Sequence, residues 1–139
     1  MPKLKGLIHN ADTWMSRYVR LRDLDDSGKL TCSTCGRRMD PEEAQNGHYI
    51  PRQHKATRWL EKNTAPQCPK CNDYEGGEQH LMGLYLDRKY GFGTAAWLQG
   101  MKHTIYKSYP SVIAEIGENY KNRALQLISE RCVRQWWGQ

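Results

Sequence analysis

Apolar residues repeat at helical spacing in four stretches of the chain, and these stretches predict four helices. The first is expected from about Asp12 to Leu24, with Asp12 as its N-cap. The second runs from about Gln79 to Tyr90, the third from Thr94 to Met101, and the last begins at Pro110, a residue favoured in a first helical turn. The last helix carries an apolar stripe of Val112, Ile113, Ile116, Tyr120, Ala124, Leu127 and Ile128.

The segment between the first two helices, residues 29–77, shows little periodicity. A strand-like run, His48-Tyr49-Ile50, predicts two short strands that form a hairpin around Gly47. We therefore expect an α+β fold in a single domain, residues 1–139. In this fold residues 29–77 form a stapled core, flanked by an N-terminal helix and by a helical C-terminal part, residues 78–139.

The cysteines suggest that a bound metal ion holds residues 29–77 together. Cys32-Ser-Thr-Cys35 and Cys68-Pro-Lys-Cys71 are two Cys-x-x-Cys pairs, and two such turns complete a tetrahedral zinc site. The alternative is two unrelated pairs or a redox Cys-x-x-Cys. Cys132 stands alone near the end of the last helix and is expected to be a packing residue.

Charge and hydropathy narrow the classes of partner and compartment. The chain has 139 residues and a formal net charge of +6, which favours a polyanionic partner such as nucleic acid. No apolar run reaches the length of a membrane-spanning helix, and the N-terminus lacks the apolar region of a secretory signal. We expect a cytoplasmic protein without membrane association, in which reduced thiols bind metal.

Three polar residues lie within or just after the cysteine frame and have the chemistry of phosphodiester hydrolysis. Such a reaction needs an activated water and relief of charge on the leaving oxygen. His48 is the candidate general base, because a neutral imidazole with a pKa of about 6.5 accepts a proton near neutral pH. Asn72 offers an amide oxygen suited to Mg²⁺ or Mn²⁺. Asn63 is expected to fix the loop beside His48 rather than to contact the ion.

Basic side chains surround the same segment and are candidate phosphate-binding groups. The alternative is an ordinary solvated basic loop. These candidate DNA-binding residues are Arg52, Lys55, Arg58, Lys62 and Lys70. Near the C-terminus, Trp136 and Trp137 follow two arginines, and the sequence does not decide whether they contact DNA or a second subunit.

An ordered set of motifs runs through the chain: Arg20-Leu-Arg-Asp23, Cys32-x-x-Cys35-Gly36, Gly47-His48-Tyr49, Arg58, Asn63, Gln67-Cys68-x-x-Cys71-Asn72 and Tyr90-Gly91. From about Tyr18 to Leu98 this set resembles the NinG/Rap family of lambdoid phage recombination endonucleases. The resemblance implies a metal-dependent DNA endonuclease that acts on branched recombination intermediates, such as Holliday junctions or D-loops. It also implies a phage or prophage origin.

The same frame is similar to endonuclease VII, a phage junction resolvase with a four-cysteine zinc and an HNH (ββα-metal) site. Its Cys-Asn-x-x-Glu-Gly pattern matches Cys71-Asn72-Asp73-Tyr74-Glu75-Gly76. The similarity implies a treble-clef-like core with structural zinc, in which His48, Asn63 and Asn72 are catalytic and Asn72 and Glu75 hold the catalytic divalent ion.

The sequence does not identify the second ligand of that ion. In endonuclease VII an aspartate precedes the catalytic histidine, whereas Gly47 stands there in this chain. Asn72 serves alone with water molecules, or Glu75, Gln45 or Asn46 completes the site, with Glu75 the first choice.

Competing functions are a non-catalytic zinc-knuckle protein that binds nucleic acid and a general HNH nicking endonuclease. The pair of His48 and Asn72 favours an enzyme, since a pure binding module does not need it. A four-way junction presents two strands for cleavage, but one chain carries one candidate site. We therefore expect a homodimer, with part of the stripe from Val112 to Ile128 forming the two-fold contact, and a monomer is the alternative.

Overall fold

A computed structural model describes residues 3–74 and 78–137 of the chain. Its helices are α1 (Leu4–Arg22), α2 (Lys55–Arg58), α3 (Gln79–Tyr90), α4 (Thr94–Met101) and α5 (Pro110–Arg131). Its strands form two antiparallel pairs, β1 (Leu30–Thr31) with β2 (Arg38–Met39) and β3 (Gln45–His48) with β4 (Thr64–Gln67). A 3₁₀ turn, Glu61–Asn63, precedes β4, and a π-helical turn, Lys70–Tyr74, follows it.

The two long helices α1 and α5 pack side by side and form the larger part of the core. From α5, Ile113, Tyr120 and Ala124 are buried in the same cluster as Met15 and Val19 of α1. Most of the apolar stripe of α5 is therefore covered within the chain. Only its first member, Val112, is well exposed among the stripe residues.

The start of α1 corrects the sequence prediction. The helix begins at Leu4 instead of near Asp12, so Asp12 lies in its third turn and is not an N-cap. Residues 4, 7, 8 and 11 are apolar and pack on or within the core, which continues the helical spacing toward the N-terminus. That extra stretch was missed because Gly6 and the polar residues around it weaken the periodic pattern.

The strands near His48 also differ from the prediction. Gly47 lies inside β3, opposite Ala65 of β4, and not in a hairpin turn. The strand ends at His48, so Tyr49 and Ile50 are outside it. The partner strand comes 16 residues later in the chain, after α2 and the 3₁₀ turn, and such a distant pairing leaves no local turn signal.

The bounds of α3 and α4 and the start of α5 at Pro110 are confirmed. A smaller buried cluster joins Ile50 and Ala65 to Met82, Leu86 and Leu98 of α3 and α4, so these two helices cover the sheet of β3 and β4. No helix in residues 3–74 and 78–137 has the length and apolarity needed to cross a membrane. The architecture is α+β, with small sheets between helices.

Candidate metal centre and polar cleft

The two cysteine pairs meet at one point. The Sγ atoms of Cys32, Cys35, Cys68 and Cys71 all lie within 4.8 Å of one another. Those of Cys35 and Cys68 are 3.8 Å apart. A tetrahedral zinc ion with Zn–S bonds of about 2.3 Å sets its sulfur atoms about 3.8 Å apart, so this spacing fits. The four cysteines can therefore hold a structural metal such as zinc.

Short local structures position the four thiols. Cys32 and Cys35 lie in the turn between β1 and β2, where the Gly36 backbone N–H donates to the Cys32 carbonyl over 3.1 Å. Gly36 has a φ of 77°, a left-handed conformation that glycine adopts without strain. The second pair follows β4, and the Cys68 backbone N–H donates to the Cys32 sulfur over 3.3 Å. Cys132 lies outside the cluster and is exposed, which corrects the expectation that it packs.

The electrostatics of the cluster suit a cation. Burial opposes ionisation of Cys32, but hydrogen bonds from the Cys35 backbone and others outweigh it and lower the pKa of Cys32 to about 6. Burial raises the pKa of Cys71 to about 12. Several thiolates this close repel one another, and a divalent cation offsets that repulsion while it displaces the remaining protons.

His48 ends β3 beside the cysteine frame. Its Nε2 atom lies 3.0 Å from the carbonyl oxygen of Arg58. Because a carbonyl only accepts, Nε2 carries the proton and Nδ1 of the neutral ring keeps its lone pair. Burial lowers the pKa of His48 to about 4 and outweighs the hydrogen bond to the Arg58 carbonyl, which favours the protonated ring. His48 is therefore neutral at pH 7 with a defined tautomer.

A polar cleft of about 400 Å³ opens between α1, β3 and the π-helical turn, and His48 and Asn72 both line it. The Asn72 side-chain nitrogen donates to Gln45 Oε1 over 2.7 Å, and Gln45 Nε2 donates to Asp73 over 3.0 Å. This chain of hydrogen bonds fixes the orientation of the Asn72 amide, whose oxygen remains as a potential ligand atom. Glu75, the expected second ligand, lies outside the described residues.

Asn63 holds the loop next to His48. Its side chain is fully buried. Its Oδ1 accepts from the Ile50 N–H over 2.8 Å, and its Nδ2 donates to the carbonyls of Ile50 and Thr57 over 3.1 Å each. All these contacts are to backbone, which agrees with a role in fixing the loop.

Gly47 has a packing reason to lack a side chain. A Cβ atom at this position would lie 2.0 Å from Oε1 of Gln67, a residue that is itself fully buried. An aspartate before His48 would therefore collide with the Gln67 side chain, which would have to move. Its neighbour Asn46 shares the strand face of His48, since side chains two apart point the same way, and also lines the cleft. Asn46 Oδ1 is buried with no hydrogen-bond partner among the residues described.

The five basic residues singled out from the sequence lie in different places. Arg52 lines the cleft and is 61% exposed. Arg58 is only 16% exposed and pairs with Asp12 through two hydrogen bonds. Lys55 lines a separate depression against α5. Lys62 lies 5.9 Å from the ring centroid of Tyr90, and Lys70 is exposed at the start of the π-helical turn. Of the five, the cleft includes Arg52 alone.

The sequence does not predict four cleft residues that belong to α1 and the π-helical turn, namely Asp12, Ser16, Arg20 and Asp73. Asp73 is the one with a detectable signal, since it follows Asn72 directly. The three α1 residues lie far from His48 in the chain, so no local pattern relates them to it.

Fold and site together define a small α+β protein with a cluster of four cysteines that could hold a metal, beside a polar cleft. The family described as bacteriophage lambda NinG protein matches residues 2–130, nearly the whole chain, and the chain belongs to that family. No curated protein and no solved structure matched the chain significantly.

Proposed function

We propose that the chain is a metal-dependent, HNH-type DNA endonuclease with a structural zinc ion, acting on branched DNA. One observation carries the proposal: His48 and Asn72 line one cleft directly beside the four-cysteine cluster. Membership of the bacteriophage lambda NinG family agrees with the phage or prophage origin that the sequence resemblance implies. In this reading β3, β4 and the π-helical turn are the ββα-metal core.

His48 is the general base of the proposed reaction. The Arg58 carbonyl holds the Nε2 proton, so Nδ1 takes the proton from the attacking water. The lowered pKa keeps the ring neutral throughout the physiological range. Arg52, exposed at the cleft mouth, binds a phosphate of the substrate strand.

The donor set of the cleft fits a hard divalent cation, because oxygen atoms dominate it. Asn72 Oδ1 is the first ligand. The candidates for a second ligand are the carboxylate of Asp73 and the Oδ1 of Asn46, which has no hydrogen-bond partner among the described residues. Gln45 is used by Asn72 and Asp73, so it orients ligands instead of serving as one. Mg²⁺ or Mn²⁺, when bound, would neutralise charge that develops on the leaving oxygen.

We propose that the protein acts as a homodimer, because a four-way junction requires two cuts and one chain carries one candidate site. The stripe of α5 is largely covered within the chain and leaves little apolar surface for the two-fold contact. Light scattering at micromolar concentration, with and without a synthetic four-way junction, tests this. A 1:1 complex in which the two cuts occur independently would contradict the dimer.

Cleavage assays test the function itself. Purified zinc-loaded protein should cut a synthetic four-way junction in the presence of Mg²⁺ or Mn²⁺ and not in EDTA, and should act weakly on linear duplex of the same sequence. Binding without cleavage of every substrate under all these conditions would support the zinc-knuckle binding module instead. Equal cleavage of junction and duplex would indicate a general nicking enzyme.

A further inference from the structure

The polar cleft continues along α1. A second depression of about 500 Å³ adjoins it, and Asp12, Ser16, Arg20 and Arg52 line both. The first three of these residues are spaced four apart, so they form one row on the helix surface about 12 Å long. Since the two depressions share this wall, a linear polymer that enters at His48 can follow α1 into the second one.

Arg17 lies in this second depression in an unusual setting. Its guanidinium carbon is 4.6 Å from the ring centroid of Trp14 and 4.7 Å from that of Trp137. The two indoles are nearly perpendicular, with an interplanar angle of 86°, so they form a corner around the guanidinium. Within residues 3–74 and 78–137, Arg17 makes no hydrogen bond or ion pair through its side chain. A guanidinium stacked in this way keeps its N–H edges for a bidentate anion.

The surroundings of Arg17 carry excess positive charge. Arg20 lies 5.3 Å from the Trp136 centroid and donates to the carbonyls of Pro41 and Ala44, with no acidic partner among the described residues. Burial, and after it the nearby charge of Arg17, lowers the pKa of Arg20 to about 10, so it stays charged at pH 7. Two acidic residues, Asp12 and Glu42, line this depression, and the charge of Asp12 is offset by Arg58.

We propose that Arg17, held by Trp14 and Trp137, binds a backbone phosphate of the nucleic-acid strand that runs from His48 along α1. The inference rests on the proposed function and names the path of its substrate. The repeating phosphates of one strand match the charge and the length of the groove. The sequence left the role of the two C-terminal tryptophans open; in the structure Trp137 holds Arg17 in place, and Trp136 packs against Trp137 with ring centroids 5.0 Å apart.

The test compares Arg17→Gln with Arg88→Gln. Both variants lose one positive charge. Arg88 is the control because it is exposed on α3 and lines neither depression. Both are made in the His48→Ala protein, so that cleavage does not interfere, and the probe is a fluorescein-labelled fork with one single-stranded arm. Kd is measured over a range of salt concentrations. We expect Arg17→Gln to reduce the slope of log K against log salt by about 0.7–0.9, the contribution of one phosphate, and to weaken binding about tenfold.

Arg88→Gln should leave the slope and the affinity unchanged. Arg17→Lys retains the charge but not the planar fork, so it should keep the slope and lose part of the affinity. Thermal melting and zinc content monitor folding. If Arg17→Gln is poorly folded, Arg17→Lys and Trp137→Leu decide: both retain the positive charge, so both should weaken binding without changing the slope, and parental affinity in both would overturn the inference. Equal slopes for the two glutamine variants would overturn the inference while leaving the nuclease proposal intact. Absence of DNA binding by the parent protein would overturn both.

Discussion

Asp12 and Arg58, 46 residues apart in the chain, are joined by two hydrogen bonds, Nε to Oδ1 over 3.0 Å and Nη2 to Oδ2 over 2.5 Å. The Trp59 indole N–H donates to the same carboxylate over 2.9 Å. Since the Arg58 carbonyl accepts the Nε2 proton of His48, this ion pair links α1 to the group that sets the histidine tautomer.

Substitution Asp12→Asn should therefore affect His48 through Arg58. The neutral amide leaves the largely buried Arg58 charge without its partner, so we expect a loss of about 1–3 kcal/mol in the free energy of unfolding. The rate of cleavage should fall about tenfold at saturating DNA, a condition in which any change of Kd does not affect the rate. Chemical denaturation and single-turnover kinetics measure the two effects. The exposed Asp26→Asn is the matched control, and parental kinetics in Asp12→Asn would show that the link does not position His48.

The cysteine cluster should contain one zinc ion per chain, and this metal should be required for folding. Structural zinc contributes on the order of 10 kcal/mol, so a strong chelator or Cys68→Ser should unfold the chain. Circular dichroism and elemental analysis measure both. Cys132→Ser, which removes a thiol outside the cluster, should change neither. Folded, zinc-free parental protein would refute the structural role.

Asn63→Ala should be among the most destabilising single substitutions in the chain. It leaves the buried Ile50 N–H and two carbonyls without the partners they have now, and each such group costs about 1–3 kcal/mol. We expect a loss of about 3 kcal/mol or more, measured by urea denaturation, together with reduced cleavage. Asn119→Ala, at an exposed position of α5, should cost under about 0.5 kcal/mol. Similar values for the two variants would contradict the structural role of Asn63.

His48 should make stability depend on pH in a defined window. Its pKa is about 4 in the folded protein and about 6.5 when unfolded. The unfolded chain therefore binds more protons between these values, so stability is fully present above pH 6.5 and declines as pH falls toward 4. The loss should be on the order of 2–3 kcal/mol and absent from His48→Gln, which does not titrate. Parallel curves of unfolding free energy against pH for the two proteins would show that the histidine is not buried as described.

The features that the sequence predicted well are those with local signals. The repeat of apolar residues located α3 and α4, Pro110 marked the start of α5, and the Cys-x-x-Cys spacing predicted that the four cysteines meet in one cluster. Each signal depends on residues a few positions apart in the chain and does not depend on contacts with distant segments.

Contacts between distant segments left no such signal. The sequence predicts Asp12 as a helix cap, whereas in the structure it pairs with Arg58, a contact that depends on how α1 packs against the strand region. The corner around Arg17 requires Trp137, at the other end of the chain, to fold back onto α1. The sequence shows only that Gly47 lacks a ligand side chain, and the structure adds that a side chain there would collide with Gln67.

The most direct test of the central claim is the rate of junction cleavage by His48→Ala, measured in single turnover with Mg²⁺ and compared with His80→Ala, an exposed histidine on α3. Loss of a general base costs about 10²–10⁴-fold. A general-base role of His48 predicts that loss for His48→Ala, with zinc content, cooperative thermal unfolding and junction affinity retained, and a parental rate for His80→Ala. Cleavage by folded His48→Ala at the parental rate would contradict it.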